Sequence, residues 1–278
     1  MESFKGFQRL LIIKRYAEST VSSYIGLLQR FQQHIGFHRS INDLTNKELY
    51  NEILKFIEQT KYSYSSQKQL LSAIHLFLSE IHKRSLDLTP VYPVRRPKSL
   101  PLILSAQQVR AILDGLSNEK HKAMLATIYA LGLRSGELTN LKLDHILKDS
   151  KLIHIKAAKG NKDRILPLPE SLREIWKPYY KKYKPKEYLF EGQKGGKYTS
   201  NSLLLVFKKA CKNAGVPSGH TVHSLRHAYA THLFDRGTDI RMIQKLLGHD
   251  NIKTTLIYTQ VSKRSMTEIK SPLDDLGL

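Results

Sequence analysis

Apolar residues recur at helical spacing through the first ninety residues. Val21, Tyr24, Leu28, Phe31 and Ile35 follow one another at intervals of three and four. This spacing places them on one face of an α-helix. The apolar positions do not alternate here as they would in a strand, so the pattern predicts an all-helical region.

Two further features extend this prediction. Thr45 and Glu48 have the spacing of a capping box, which opens a helix. Leu71, Ile74 and Leu78 mark the apolar face of another helix. We therefore predict about four helices that bury a single bundle layer.

A proline-rich, basic stretch interrupts the helical pattern. In the run DLTPVYPVRRPKSLPLI, prolines at 90, 93, 97 and 101 alternate with Arg95, Arg96 and Lys98. Proline at this density cannot continue a helix and favours an extended tether, although an ordinary surface loop would read the same. We predict a helical domain over 1–88, a linker over 89–103 and a second domain over 104–278.

The second half of the chain mixes helices with one hairpin. A capping box at Ser105 and Gln108 predicts a helix through Leu113. The remaining predicted helices cover about 120–131, 170–182, 200–214, 221–236 and 239–247. Strand-like runs at 152–156 and 164–168 flank Gly160-Asn161 and predict a β-hairpin. The fold class is thus mainly α with a small β-hairpin or sheet.

The net charge of the chain limits the classes of partner that it is expected to bind. Among 278 residues, 45 are Lys or Arg and 24 are Asp or Glu, which gives a net charge of +21. Such a field favours polyanions, either nucleic acid or an anionic membrane. The apolar run Leu10–Ile13 is far too short to span a membrane or form a signal-peptide core. Cys211 is the single cysteine, which excludes an intramolecular disulfide and suggests a small buried residue in a cytoplasmic protein.

Arg134 lies in the motif ALGLRSGELTNL, in a corner between two predicted helices. Gly132 can end the first helix and Ser135 can cap the second. We expect Glu137 to orient the arginine or to cap the helix. An unremarkable surface arginine would look the same from this motif alone.

His223 and Arg226 occur three residues apart in HTVHSLRHAYATHLF. They project from one helix face close to a predicted helix N-terminus, where an anion is favoured. We interpret His227 and His232 as packing or surface residues. His223 and His227 are four apart, but without a cysteine or carboxylate at ligand spacing they make a weak zinc motif.

Two further positions complete a candidate set for phosphoryl transfer. Lys159 lies at the tip of the predicted hairpin, where a lysine is usually only solvated. The run LLGHDNIKTTLIYTQ presents His249 and then Tyr258. Arginines and histidines can hold the charge of a phosphodiester transition state, the tyrosine can attack, and Lys159 can protonate the departing 5′ oxygen. This set needs neither a metal nor another cofactor.

These motifs resemble those of the tyrosine recombinases of the phage integrase family, especially its short Xer-like and integron-like members. The resemblance is carried by GLRSGEL, AKGNKDRILPL, HSLRHAYATHL and LLGHDNIKTTLIYT, in that order, and by YAESTVSSYIGLLQRF in the helical region. It implies an N-terminal SAM-like core-binding domain and a catalytic domain with a C-terminal oligomerisation tail. It also implies six catalytic residues: Arg134, Lys159, His223, Arg226, His249 and the nucleophile Tyr258.

The resemblance further implies a reaction and an assembly. Family members form a 3′-phosphotyrosyl bond without ATP or metal, and they act as homo-tetramers on paired double-stranded DNA sites with inverted repeats, in some cases with a partner recombinase. Three alternatives stay open at this point: a type IB topoisomerase-like enzyme, a non-catalytic DNA-binding protein on the same fold, and a basic RNA-binding protein. The basic helix around Lys208, Lys209 and Lys212 is a candidate DNA contact or a solvated face.

Overall fold

The computed structural model describes residues 2–36, 38–94, 100–147, 149–156 and 163–261. The chain forms two compact units, Met1–Ser99 and Leu100–Leu278. The domain boundaries predicted at 88/89 and 103/104 stay predictions. The expected oligomerisation tail, including Met266, Ile269 and Leu273, lies outside the described residues.

Four α-helices lie in the described part of the first unit, which confirms the prediction for this region. They are α1 (Glu2–Ile13), α2 (Glu18–Ile35), α3 (Asn46–Thr60) and α4 (Tyr64–Ile81). The capping box is present: the Thr45 N–H donates to the Glu48 carboxylate at 2.8 Å, and the Glu48 N–H donates to the Thr45 hydroxyl at 3.3 Å. Leu28, Phe31 and Ile74 are fully buried in the core that these helices share.

Eight α-helices lie in the described part of the second unit. They are α5 (Ala106–Asp114), α6 (Glu119–Leu131), α7 (Ser135–Thr139), α8 (Glu170–Tyr183), α9 (Ser200–Asn213), α10 (Val222–Asp235), α11 (Ile240–Leu247) and α12 (Ile257–Val261). The longer ones match the predicted ranges within about two residues, the usual uncertainty of helix ends. The capping box at Ser105 and Gln108 is also present.

A three-stranded antiparallel sheet accompanies these helices. Its order is β1 (Ile146–Leu147), β2 (Leu152–Ile155) and β3 (Arg164–Pro167). The β2–β3 pair confirms the predicted strands, with Ile155 opposite Arg164, while the expected turn at 160–161 lies outside the described residues. β1 was not predicted because two residues are too few to show alternation.

The core of the second unit lies mainly among α6, α8, α9 and α10. Trp176 is 4% exposed, and its indole N–H donates to the Thr127 hydroxyl at 2.9 Å. Cys211 is buried, as predicted. A smaller apolar cluster joins Tyr258 to Ile243 and Leu247. This smaller cluster ties the candidate nucleophile to α11.

Across the described residues, no helix combines the length and apolarity needed to cross a bilayer.

Candidate active site

Arg226 is the centre of the site. It lies on α10 and is 0% exposed. Its Nη1 donates to the Gly132 carbonyl at 2.6 Å and its Nη2 to the Leu247 carbonyl at 2.7 Å. Those carbonyls end α6 and α11, where peptide oxygens lack helical partners and carry the negative end of the helix dipole. The two helix ends therefore stabilise a buried cation and fix its direction.

Arg134 is held in the corner after α6. Gly132 ends α6 with φ +61°, and a Cβ there would lie 2.5 Å from Tyr229 Cδ1, so the corner requires glycine. The Glu137 carboxylate accepts the Arg134 backbone N–H and its Nη1, both at 2.8 Å. Glu137 thus orients the arginine and caps α7, as expected. The expectation that Ser135 caps α7 is wrong, because the N-cap position is Arg134 itself.

Sequence reasoning missed a third arginine. Arg164 opens β3, is 8% exposed and donates to both Glu137 oxygens, at 2.9 and 2.8 Å. Burial alone would raise the pKa of Glu137, but the hydrogen bonds and charge of Arg164, together with the Arg134 N–H, lower it to about 2. Arg226 Nη1 lies 3.7 Å from the same carboxylate. One ionised glutamate is therefore shared by three guanidinium groups.

Three histidines border this cluster in their neutral form. Burial and the nearby arginines lower the pKa of His249 to about 3, and burial with the neighbouring His223 and Arg226 lowers that of His227 to about 4. The pKa of His223 also falls, first through burial and then through the charges of Arg226 and Arg134. His249 Nδ1 lies 3.0 Å from the Thr255 hydroxyl. At neutral pH these uncharged rings can therefore donate or accept hydrogen bonds without adding charge to the site.

Tyr258 lies on α12 and is 1% exposed. Its hydroxyl is 3.2 Å from Nδ1 of His227. Burial raises the pKa of the phenol, and the positive charges of Arg226 and Arg134 oppose that rise without cancelling it. The phenol is therefore protonated at neutral pH in this structure.

The contact with His227 corrects the interpretation of that residue as packing or surface. His227 also packs edge-to-face on His223, with ring centroids 4.5 Å apart. The spacing of four residues from His223 places both rings on one helix face, which could have indicated a shared role. His232 instead contacts the Tyr129 hydroxyl at 3.0 Å, in agreement with a packing role.

Five of the six predicted site residues fall within the described ranges, whereas Lys159 lies outside them. Arg134 and Arg226 form the arginine cluster together with Arg164 and Glu137. His223, His249 and Tyr258 lie near enough for the charges of Arg134 and Arg226 to act on their pKa. The described residues contain no group of three or more His, Cys, Asp or Glu side chains arranged to hold a metal ion. The weak zinc motif at His223 and His227 therefore gains no further ligands there.

The chemistry that this cluster can support is the binding of an anion. Arg134, Arg164 and Arg226 bring three positive charges to a single contacting carboxylate, that of Glu137. The Nε of Arg226 is buried and finds no hydrogen-bond acceptor among the described residues. A guanidinium pairs well with phosphate oxygens. Fold and site together define a helical two-unit protein with a candidate anion site beside a tyrosine.

Comparison with known proteins identifies the family. The profile of the phage integrase family matches residues 103–265, and that of the phage integrase N-terminal SAM-like domain matches residues 4–88. The chain belongs to the phage integrase family. It is a tyrosine recombinase, an enzyme of site-specific DNA recombination, and the topoisomerase-like and non-catalytic alternatives are not favoured.

Two curated relatives illustrate the similarity. A putative integrase/recombinase, y4qK of Sinorhizobium fredii, is 31% identical over 264 residues, covering 94% of this chain and 85% of its own length. The tyrosine recombinase XerA of Pyrococcus horikoshii is 31% identical, with 94% and 90% covered.

The fold is also that of lambda integrase. A lambda integrase tetramer bound to a Holliday junction superposes with a TM-score of 0.74 at 17% identity, covering 97% of this chain and 79% of that one.

Proposed function

We propose that this chain breaks and rejoins DNA with Tyr258 as the nucleophile and a 3′-phosphotyrosyl intermediate. The observation that carries the proposal is the charge excess of the cluster, with three guanidinium groups contacting one carboxylate next to a buried tyrosine. A phosphodiester supplies the missing negative charge. Its geometry also suits the paired N–H groups of arginine.

In the proposed step, Tyr258 Oη attacks the phosphorus and the bond to the 5′ oxygen breaks. Arg134 and Arg226 hold the non-bridging oxygens, and His223 and His249 donate further hydrogen bonds. Loss of one such donor costs roughly 3 to 4 kcal/mol of barrier. The phenol proton passes to a neutral imidazole of the cluster, and Lys159 gives a proton to the departing 5′ oxygen, which leaves as a hydroxyl.

The same step requires movement of the segment that carries Tyr258. The Tyr258 side chain is 1% exposed and bonded to His227, so a phosphodiester reaches it only after this contact opens. Rejoining reverses the chemistry, with a 5′ hydroxyl attacking the phosphotyrosine. The bond energy stays in the covalent link, so the cycle consumes no ATP and no cofactor.

The proposed partner is double-stranded DNA that carries inverted-repeat recombination sites. The net charge of +21 supports a polyanion. We propose that a homo-tetramer, alone or with a partner recombinase, pairs two such sites. The tetramer of lambda integrase on a Holliday junction has the same fold, which supports this assembly.

A covalent capture experiment tests the proposal without knowledge of the target site. The protein is incubated with fragmented double-stranded DNA in EDTA and denatured, and the attached DNA is sequenced. We expect the unmutated chain to retain a recurring inverted repeat. We expect Tyr258→Phe to bind the same DNA but form no adduct, because the attacking oxygen is gone.

Tyr198→Phe is the matched control, since it removes a phenol of the same unit that lies outside the cluster, and it should capture DNA normally. An adduct formed by Tyr258→Phe would overturn the assignment of the nucleophile. Attachment spread over unrelated sequences would point to DNA relaxation, and tight binding without any adduct to a protein that only binds DNA.

A further inference from the structure

Arg164 occupies a position that the proposed chemistry does not explain. Both Arg164 and Arg226 are buried, but Arg226 keeps an Nε without an acceptor among the described residues, whereas Arg164 has no nitrogen left over for a phosphate oxygen. All three of its side-chain nitrogens are engaged. Nη1 and Nη2 form a two-point contact with Glu137, and Nε donates to the Leu246 carbonyl at 2.8 Å. A two-point arginine–carboxylate pair fixes direction as well as distance.

The Glu137 end of this contact leads to Arg134. Each oxygen of the carboxylate accepts one N–H from Arg164 and one from Arg134. The orientation of the carboxylate therefore determines where the Arg134 guanidinium points. Rotation of Glu137 would move Arg134 with it, and Arg164 is the residue that opposes such rotation from the far side.

The other end of the contact leads to the last turn of α11. Three consecutive carbonyls there, of Leu246, Leu247 and Gly248, accept hydrogen bonds from Arg164, Arg226 and Arg134, respectively. Gly248 has φ +64°, and a Cβ there would lie 3.1 Å from Cδ of Arg164, so the arginine packs directly on this turn. His249 follows immediately, which links its position to the same contacts.

We infer that Arg164 is a positioning residue for the reaction proposed above, acting through Glu137 on Arg134 and through the α11 turn on His249. It touches no reacting atom itself. The inference rests on the proposed function, and it assigns to the first residue of β3 a role in the rate of strand cleavage. β3 thereby sets the alignment of Arg134, just before α7, and of His249, just after α11.

Arg164→Lys tests this inference, because lysine keeps the charge but cannot make the two-point contact. The measurement is the single-turnover rate of adduct formation per folded molecule, on DNA recovered in the capture experiment, with DNA affinity measured in parallel. We expect a rate up to roughly 100-fold lower at unchanged affinity, the effect of misplacing a reacting group by about an ångström. Combined with Arg134→Lys, the loss should be smaller than the product of the two single losses, because both changes act on one guanidinium.

Arg173→Lys is the matched control, since Arg173 pairs with Glu170 on the exposed side of α8, and its rate should not change. If Arg164→Lys does not fold, Arg164→Ala is assayed with added guanidinium ion against an equal concentration of ammonium. Recovery of the rate per folded molecule by guanidinium alone supports positioning.

The outcomes separate the two proposals. A variant at Arg164 that melts earlier but reacts at the unmutated rate once folded would overturn this inference and leave the proposed function intact. Equal recovery with both ions, or none with either, would also overturn the inference. Absence of any adduct from the unmutated chain would overturn the proposed function, and this inference with it.

Discussion

The arginine cluster and the tyrosine segment, residues 249–261, adjoin each other but are held in different ways. Arg226 and Arg164 are each fixed by several contacts to carbonyls and to Glu137. The Tyr258 hydroxyl has a 3.2 Å contact with His227, and His249 has a 3.0 Å contact with Thr255. The comparison indicates that the charge-binding half is built in advance, whereas the nucleophile is attached by individually weak interactions.

The largest expected effect comes from the charge at the centre of the cluster. Glu137→Gln keeps the shape of the side chain but leaves three guanidinium groups without a counter-charge. We expect it to lower the free energy of unfolding by about 3 to 5 kcal/mol, the usual cost of removing one partner of a buried pair. Calorimetric unfolding measures the change. Glu170→Gln, which removes an exposed partner of Arg173, should have little effect, and equal effects for the two variants would show that the helix ends alone hold the arginines.

A smaller effect should appear on acidification. His227 has a folded pKa of about 4, against roughly 6.5 when unfolded. Between these values the unfolded chain binds more protons, so this contribution to stability is complete above pH 6.5 and is lost as pH falls. The slope for one such histidine is at most about 1.4 kcal/mol per pH unit.

His227→Gln should therefore make the free energy of unfolding less dependent on pH between about pH 4 and 6.5. The change in slope corresponds to at most one proton taken up on unfolding. His75→Gln, which changes an exposed histidine of α4, should leave the slope unchanged. Identical slopes for His227→Gln and the unmutated chain would mean that His227 already carries its proton in the folded state.

The smallest effect is expected where one hydrogen bond is removed from the tyrosine segment. Thr255 is fully buried, and its hydroxyl contacts His249. Thr255→Val keeps the shape but removes this partner, which should cost about 1 kcal/mol of unfolding free energy. Thr254→Val, at an exposed neighbour, is the control. A loss as large as that of Glu137→Gln would show that the segment is held as firmly as the cluster.

Much of the fold was predictable because its signals are local. The capping boxes at Thr45 and Ser105 depend on residues three apart, and the long helices on a repeating apolar face. β1 escaped because its two residues become a strand only through pairing with Leu152 and Ile153. The assignment of Ser135 as a cap failed because Glu137 reaches back to Arg134 and shifts the helix start by one residue.

The residues of the candidate site also differ in whether the sequence around them carries a local signal. Arg134, His223, Arg226, His249 and Tyr258 could be predicted as site residues because motifs surround them. Arg164 was missed because the residues that it contacts are far away in the chain. Glu137 lies 27 residues earlier and Leu246 82 residues later. Partners at such separations come together only through the fold, so a lone arginine at the start of a strand gives no signal of its own.

Trp176 gives the molecule a built-in optical reporter. It is the single tryptophan of the sequence, and it is buried in the second unit with its indole N–H bonded to Thr127. Fluorescence excited beyond the absorption of tyrosine therefore comes from that unit alone. Its red shift on exposure to water would record the unfolding of the catalytic half separately from the helical half, without any label.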